Sequence, residues 1–260
     1  MIKELTGANT DIDPVSENAD RDQMHHNFLF DLDQTLLDFH ATERKALEIV
    51  INACGLKFTE DCYVHFKELN KRLWLEIEKG TISRKELFIK RFTDIFDYCK
   101  GGKDLDPLKV NSDFVYTMSQ NGILMDGALE FIIKLKENIE DARCYIVSNG
   151  ATINAEGRIR STGLDKYLEK VYVSEWMGVA KPSEEFFDMV LEGVGEPKKT
   201  CIVIGDSLTS DMLGAQNSSL ASVWFMPQGD VDAAMNKYDI DYCASSFDEL
   251  YDVLKRWSSS

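Results

Sequence analysis

Residues 28–39 read FLFDLDQTLLDF, an apolar run into which Asp31 and Asp33 are set one residue apart. In an extended segment, positions i and i+2 point to the same face. Two like charges about 4 Å apart repel by roughly 1 kcal/mol in water and about 4 kcal/mol at an effective dielectric of 20. A fold that keeps both carboxylates there needs a cation or a shared proton to make them compatible. Further along stand Ser148-Asn149-Gly150, Ala180-Lys181-Pro182 and GDSLTSD with Asp206 and Asp211. Taken singly, each has a bland alternative. The paired acids suit a metal site, a solvated edge or a helix cap. Ser-Asn-Gly suits a plain turn, a lone lysine suits solvent, and Asp211 suits a helix N-cap. An acid beside glycine at the end of a buried strand is the stronger hint of a metal site.

The segments carrying these residues alternate between strand and helix. FLFDLD, RCYIVSNG, KVYVSE, TCIVIGDS and ASVWFM read as short buried strands. GALEFIIKLKEN, AEGRIRSTGL, SEEFFDMVLEGVG and DMLGAQNSSL read as helices. Such alternation implies right-handed crossovers, hence an α/β fold: a Rossmann-like parallel sheet with helices on both faces. In such sheets ligands sit beyond the carboxyl ends of the strands, where DLD, SNG and GDS fall. Between the first strand and this alternation, residues 41–118 read as a separate helical insert. ATERKALEIVINACG stops on Gly55, YVHFKELNKRLWLEIEKG stops on Gly80, and Ser83 with Glu86 three residues on has the spacing of a capping box. Residues 25–40 and 119–260 then form the core.

Composition narrows the partners. The 260 residues carry a formal net charge of −16 and are 44% hydrophobic, enough for a sizeable core. That charge disfavours nucleic-acid polymers and anionic membranes, although a small anionic substrate can still be met by local cations. No apolar stretch approaches the roughly 20 residues of a membrane span, and the N-terminus lacks a signal-peptide core. Six scattered cysteines without a CxxC pair are expected to be reduced thiols in a cytoplasmic protein. Residues 1–24 are polar and acid-rich and are expected to form a disordered extension; His25 and His26 close it as solvated residues.

Taken together, DxDxT, SN, KP and GDxxxxD, in this order and each at a predicted strand end or loop, resemble the haloacid dehalogenase-like superfamily of phosphohydrolases. The likeness spans the chain from about residue 27. It implies that Asp31 attacks phosphorus and carries an aspartyl-phosphate, and that Asp33 protonates the leaving alcohol and then activates water. Mg²⁺ is the implied cation, held by the Asp31 carboxylate, the Asp33 backbone carbonyl and Asp206; Asp211 holds a metal-bound water or orients Lys181. The Ser148 hydroxyl, the Leu32 and Asn149 backbone N–H groups and the Lys181 ammonium would cradle the phosphoryl oxygens. Thr35 either fixes the turn or joins that cradle.

Asp33 favours phosphate esters, since the dehalogenases of this superfamily have no alcohol to protonate; a mutase also carries the DxD pair. The insert resembles the cap of one subclass. LNKRLWLEIEKGTIS, KRF and YVSEWMGVAKPSEEFFD look closer still to YjjG-type pyrimidine 5′-nucleotidases, which act on nucleoside monophosphates. The chain departs from that pattern at Arg72 and at Trp176-Met177. Candidates for contacting the leaving group are Phe39, His40, Asn70, Trp74 and Arg91. Phe39 and His40 suit either the pocket mouth or a hinge, Trp74 either base stacking or core, and Arg91 either a bidentate contact or a surface ion pair. His65 has no evident partner. The rival readings are a phosphatase for a sugar phosphate, such as N-acylneuraminate 9-phosphate or phosphoglycolate, and a non-catalytic phospholigand-binding protein.

Overall fold

The computed structural model describes residues 26–226 and 230–259; the N-terminal extension and His25 lie outside them. Six parallel strands, β1 (Asn27–Phe30), β2 (Arg143–Ser148), β3 (Lys170–Val173), β4 (Cys201–Gly205), β5 (Ala221–Phe225) and β6 (Tyr242–Ala244), are ordered β3-β2-β1-β4-β5-β6. Side-chain alternation along β1 builds two cores. Phe28 and Phe30 face a layer with Phe131, Ile132 and Leu135 of α5 (Ala128–Asn138), Ile159 of α6 (Thr152–Thr162) and Leu250 and Leu254 of α11 (Phe247–Trp257). Leu29 faces the other way, onto Phe186, Phe187 and Val190 of α8 (Glu184–Val194). The chain runs outward from β1 through β2 to β3, then returns to the far side of β1 as β4. That reversal opens a crevice at the strand ends next to β1, the favoured ligand position in such sheets.

Between β1 and β2 lie α1 (Phe39–Ala53), α2 (Glu60–Glu78), α3 (Arg84–Tyr98) and α4 (Pro107–Gln120). They share a core of their own, including Leu47, Phe66, Phe92 and Phe114. The Ser83–Glu86 capping box is formed, and Gly55 takes the left-handed conformation that ends α1. Several expected boundaries shift. The insert's helices start at Phe39 and end at Gln120. β3 stops at Val173, and Ser174–Met177 form a short helix, α7. DMLGAQNSSL is helical only to Asn217: a π turn at Leu208–Met212 precedes α9 (Leu213–Asn217). β6, α10 (Val231–Lys237) and α11 add to the elements read from the sequence.

Candidate active site

The site grows from the residues that follow each strand. The Asp31 amide donates to the Ile204 carbonyl at 2.8 Å, extending the β1–β4 ladder by one step and fixing the carboxylate at the crevice. The loop then turns through Gln34, a non-glycine residue in the left-handed region (φ 62°). Such a conformation costs on the order of 1–3 kcal/mol and persists only when its surroundings over-determine it. Here the Gln34 amide donates to the Leu37 carbonyl, and its side-chain oxygen accepts from the Phe39 amide at 2.8 Å. The strained turn thereby joins the end of β1 to the first turn of α1. Thr35 is fully buried, and its hydroxyl donates to Asp31 Oδ2 at 3.4 Å.

Lys181 is the hub. Its Nζ donates to Asp31 Oδ1, Asp211 Oδ1 and the Val147 carbonyl, each at 2.6 Å. An ammonium has three protons to give, and all three are engaged here, which leaves the lysine a fixed positive charge at the crevice. Asn149 pins its backbone from both sides: its Nδ2 donates to the Lys181 carbonyl at 2.8 Å, and its Oδ1 accepts from the Lys181 amide at 2.9 Å. Asp211 is fully buried and accepts from the Ser207 amide. Gly205 permits this approach, because a β-carbon there would collide with the Asp211 side chain. Burial opposes the charge on Lys181, yet Asp211 and Asp31 together hold its ammonium above the ordinary lysine value. Burial pushes Asp31 up to about 8 against the pull of Lys181, and burial with Asp211 raises Asp206 to about 6.

Carboxylate oxygens of Asp31, Asp206 and Asp211 lie within 4.8 Å of one another. Were all three ionised, they would leave an excess of two negative charges over the one ammonium, an excess that burial resists by raising Asp31 and Asp206. A hard divalent cation that takes oxygen ligands fits both that donor set and that charge. Asp33 is absent from this carboxylate group because its side chain is engaged elsewhere, in a bidentate pair with Arg158 of α6. The two acids of the DLD sequence are therefore made compatible by two separate cations. Arg158 was not among the sequence candidates. The available signal was its place on the buried face of α6 with Ala155 and Ile159, where a solvated arginine does not belong.

The remaining candidates divide. Ser148 is buried at the end of β2, and Leu32 is fully buried beside Asp31. The Phe39 ring lies 5.6 Å from the Arg158 guanidinium, while His40 is exposed next to it. Asn70 and Arg91 belong to a network inside the insert. Arg91 donates from Nε to Asn111 Oδ1 at 2.9 Å and from Nη1 to Asn70 Oδ1 at 3.1 Å, and Asn70 Nδ2 donates to Glu43 Oε1 at 3.3 Å. With Phe66, Phe88, Phe92 and Phe114 around its guanidinium, Arg91 is buried and cannot form the surface ion pair that its sequence setting left open. Trp74 is 38% exposed, so the core alternative fails. His65 does have a partner, Asp94, and stacks on Tyr98.

Residues 26–218 match the family described as haloacid dehalogenase-like hydrolase. The chain belongs to that family. YfnB of Bacillus subtilis (strain 168), named for the same hydrolase family, is 30% identical over 88% of this chain and 95% of its own. A crystal structure of YfnB, described as bound to magnesium and revealing interdomain movement, superposes with a TM-score of 0.75 at 29% identity, covering 89% of this chain and 99% of that one. Pyrimidine 5′-nucleotidase PynA of Streptococcus pneumoniae (strain ATCC BAA-255 / R6) is 32% identical over 78% of this chain and 85% of its own. Pyrimidine 5′-nucleotidase YjjG of Escherichia coli (strain K12) is 30% identical over 75% and 83%. Within the family, the chain sides with the phosphatases, and all six cysteines are free thiols. Among the described residues, no helix is long and apolar enough to cross a membrane.

Proposed function

We propose that this enzyme is a Mg²⁺-dependent phosphomonoesterase that works through an aspartyl-phosphate and acts on pyrimidine nucleoside 5′-monophosphates. The observation that carries the chemistry is the separation of the two acids. Asp31, on Lys181, faces the carboxylate cluster, whereas Asp33 is held to one side by Arg158. An Asp31 oxygen attacks phosphorus as the P–O bond to the nucleoside breaks. Asp33 supplies the proton that the departing alkoxide needs, and then takes one from the water that releases phosphate. Asp31, Asp206 and the Asp33 carbonyl would hold Mg²⁺, with Asp211 behind them. The metal supplies positive charge for the phosphoryl oxygens. Lys181 keeps Asp31 oriented and offsets the charge that builds up on those oxygens.

Support for the nucleotide as substrate comes from the relatives and from the insert, whose α1 begins beside Asp33 through Gln34 and Phe39. Phe39, His40, Asn70, Trp74 and Arg91 are the proposed places to look for leaving-group contacts. The test is phosphate release with Mg²⁺ from UMP, dUMP, dTMP, AMP and several sugar phosphates, with Asp31→Asn as the control. Preferred turnover of the pyrimidine nucleotides, lost in the variant, is expected. Turnover confined to sugar phosphates would keep the chemistry and overturn the nucleotide assignment. Binding without turnover would overturn the chemistry.

A further inference from the structure

Arg158 stands where core and insert meet. Its helix, α6, packs so closely on α4 that a β-carbon at Gly157 would lie 2.6 Å from Ser119 Cβ. Its carbonyl oxygen would stand 2.6 Å from a β-carbon at Gly122, in the segment that returns from the insert. That segment is tied to the outgoing one: the Asp38 amide donates to the Ile123 carbonyl at 2.8 Å, and the Met125 amide to the Leu36 carbonyl at 2.9 Å. The guanidinium is buried between two residues of the outgoing segment. It covers the Phe39 ring at 5.6 Å and gives both terminal nitrogens to the two oxygens of Asp33. Two parallel hydrogen bonds from a planar fork fix both the place and the rotation of a carboxylate, which a lysine cannot do.

We infer that Arg158 is the positioning residue for the acid–base step: it sets where the Asp33 carboxyl stands relative to the leaving oxygen. This rests on the phosphatase assignment above. In the step at issue, the Asp31 oxygen–phosphorus bond forms, the phosphorus–ester oxygen bond breaks, and the Asp33 proton passes to that ester oxygen. Misplacing the proton donor by about 1 Å can cost on the order of 10²-fold. In the first step, formation of the aspartyl-phosphate, the cost is incurred only where the leaving group needs the proton: a nucleoside alkoxide needs it, whereas p-nitrophenolate leaves without it. The later water step is the same for both esters.

The experiment compares kcat/KM, which reports formation of the aspartyl-phosphate, on UMP, or whichever alkyl phosphate the panel shows to be turned over, with kcat/KM on p-nitrophenyl phosphate. The proteins are wild type, Arg158→Gln, Arg158→Lys, Asp33→Asn and the double variant Arg158→Gln/Asp33→Asn. Both single variants of Arg158 are expected to lose about 10²-fold on the alkyl phosphate and at least tenfold less on the aryl phosphate. The double variant should lose no more than Asp33→Asn alone. Equal losses on the two substrates in Arg158→Lys, or losses that multiply in the double variant, would overturn the assignment and leave Arg158 a structural ion pair. Melting curves identify an unfolded Arg158→Gln, in which case Arg158→Lys alone decides. A wild type that cleaves neither ester overturns the phosphatase assignment itself, whereas a wild type whose Asp33→Asn variant discriminates between the esters while Arg158→Lys does not overturns only this inference.

Discussion

Two buried cations, Lys181 in the core and Arg91 in the insert, meet opposite surroundings. Lys181 donates to two carboxyl groups and a carbonyl, and its ammonium is held above the ordinary value by Asp211 and Asp31 in spite of burial. Arg91 is held by the neutral amides of Asn70 and Asn111 and by aromatic faces, and burial pulls it down to about 10 against the opposing effect of Glu43. Glu43, its one nearby carboxyl, is pushed up to about 7 by burial. The core sets three carboxyl groups against one ammonium at the open ends of the strands, whereas the insert sets one carboxyl against one guanidinium. Unbalanced buried charge costs stability unless something arrives to offset it, so the imbalance points to where a cation and a phosphoryl group belong. The balanced network is where the insert acquires a fixed shape.

The largest expected effect tests the core side. Lys181→Met removes the common partner of Asp31 and Asp211, and kcat should fall by about 10³-fold, measured as phosphate release at saturating Mg²⁺. A loss below tenfold would mean that Lys181 merely stabilises the fold, and the contrast with Arg91 would collapse. Next comes the insert side. Arg91→Met leaves the side-chain oxygens of Asn70 and Asn111 without their donor and Glu43 without its nearby cation, and should cost about 3 kcal/mol, read as a melting temperature about 6–10 °C lower. An unchanged melting temperature would show that the insert does not depend on this network.

Asp31, Ser148 and Asp206 were legible because each follows a strand that the sequence already announces. FLF, CYIV and CIVI are apolar runs, and the first polar residues after them are the ones the sheet brings to the crevice. A chain reversal beside β1 does the rest, bringing Asp31, Asp206 and Asp211 together from positions up to 180 apart. Arg158 escaped because its place on the buried face of α6 marks it as held but does not say by what: its partner, Asp33, is 125 residues away. Glu43, Asn70, Arg91 and Asn111 escaped as a network for the same reason, being donated by four different helices whose register the sequence does not reveal. The left-handed turn at Gln34 was likewise invisible, since it is imposed by hydrogen bonds to Leu37 and Phe39 rather than by glycine. β6, three residues long and flanked by loops, offers too little pattern to read.

The third effect concerns the excess charge itself. If Asp31, Asp206 and Asp211 attract a divalent ion, Mg²⁺ should stabilise the folded chain without any substrate. At a hundred times its dissociation constant the ion contributes about 2.7 kcal/mol. The melting temperature should rise with Mg²⁺, return with a chelator, and stay flat in Asp206→Asn. A rise of equal size in that variant would place the ion elsewhere.

The smallest effect is the most specific to the insert. Glu43 carries its proton up to about pH 7 when folded and only to about 4.5 in an ordinary setting. Between those values the folded chain binds more protons than the unfolded one, so the stability from this group is complete at low pH and declines as pH rises through the window. The groups around it, Arg91, Lys67 and Tyr63, pull the other way but do not overcome burial. Glu43→Gln keeps an oxygen for the Asn70 amide and cannot ionise, so its stability should fall less between pH 5 and 8, by about 2 kcal/mol. Asp31 and Asp206 titrate identically in both proteins and cancel in the difference. Parallel melting-temperature profiles for the two proteins would mean that Glu43 stays charged beside Arg91. The insert would then hold a buried ion pair like that of the core, and the contrast between Lys181 and Arg91 would reduce to one of geometry.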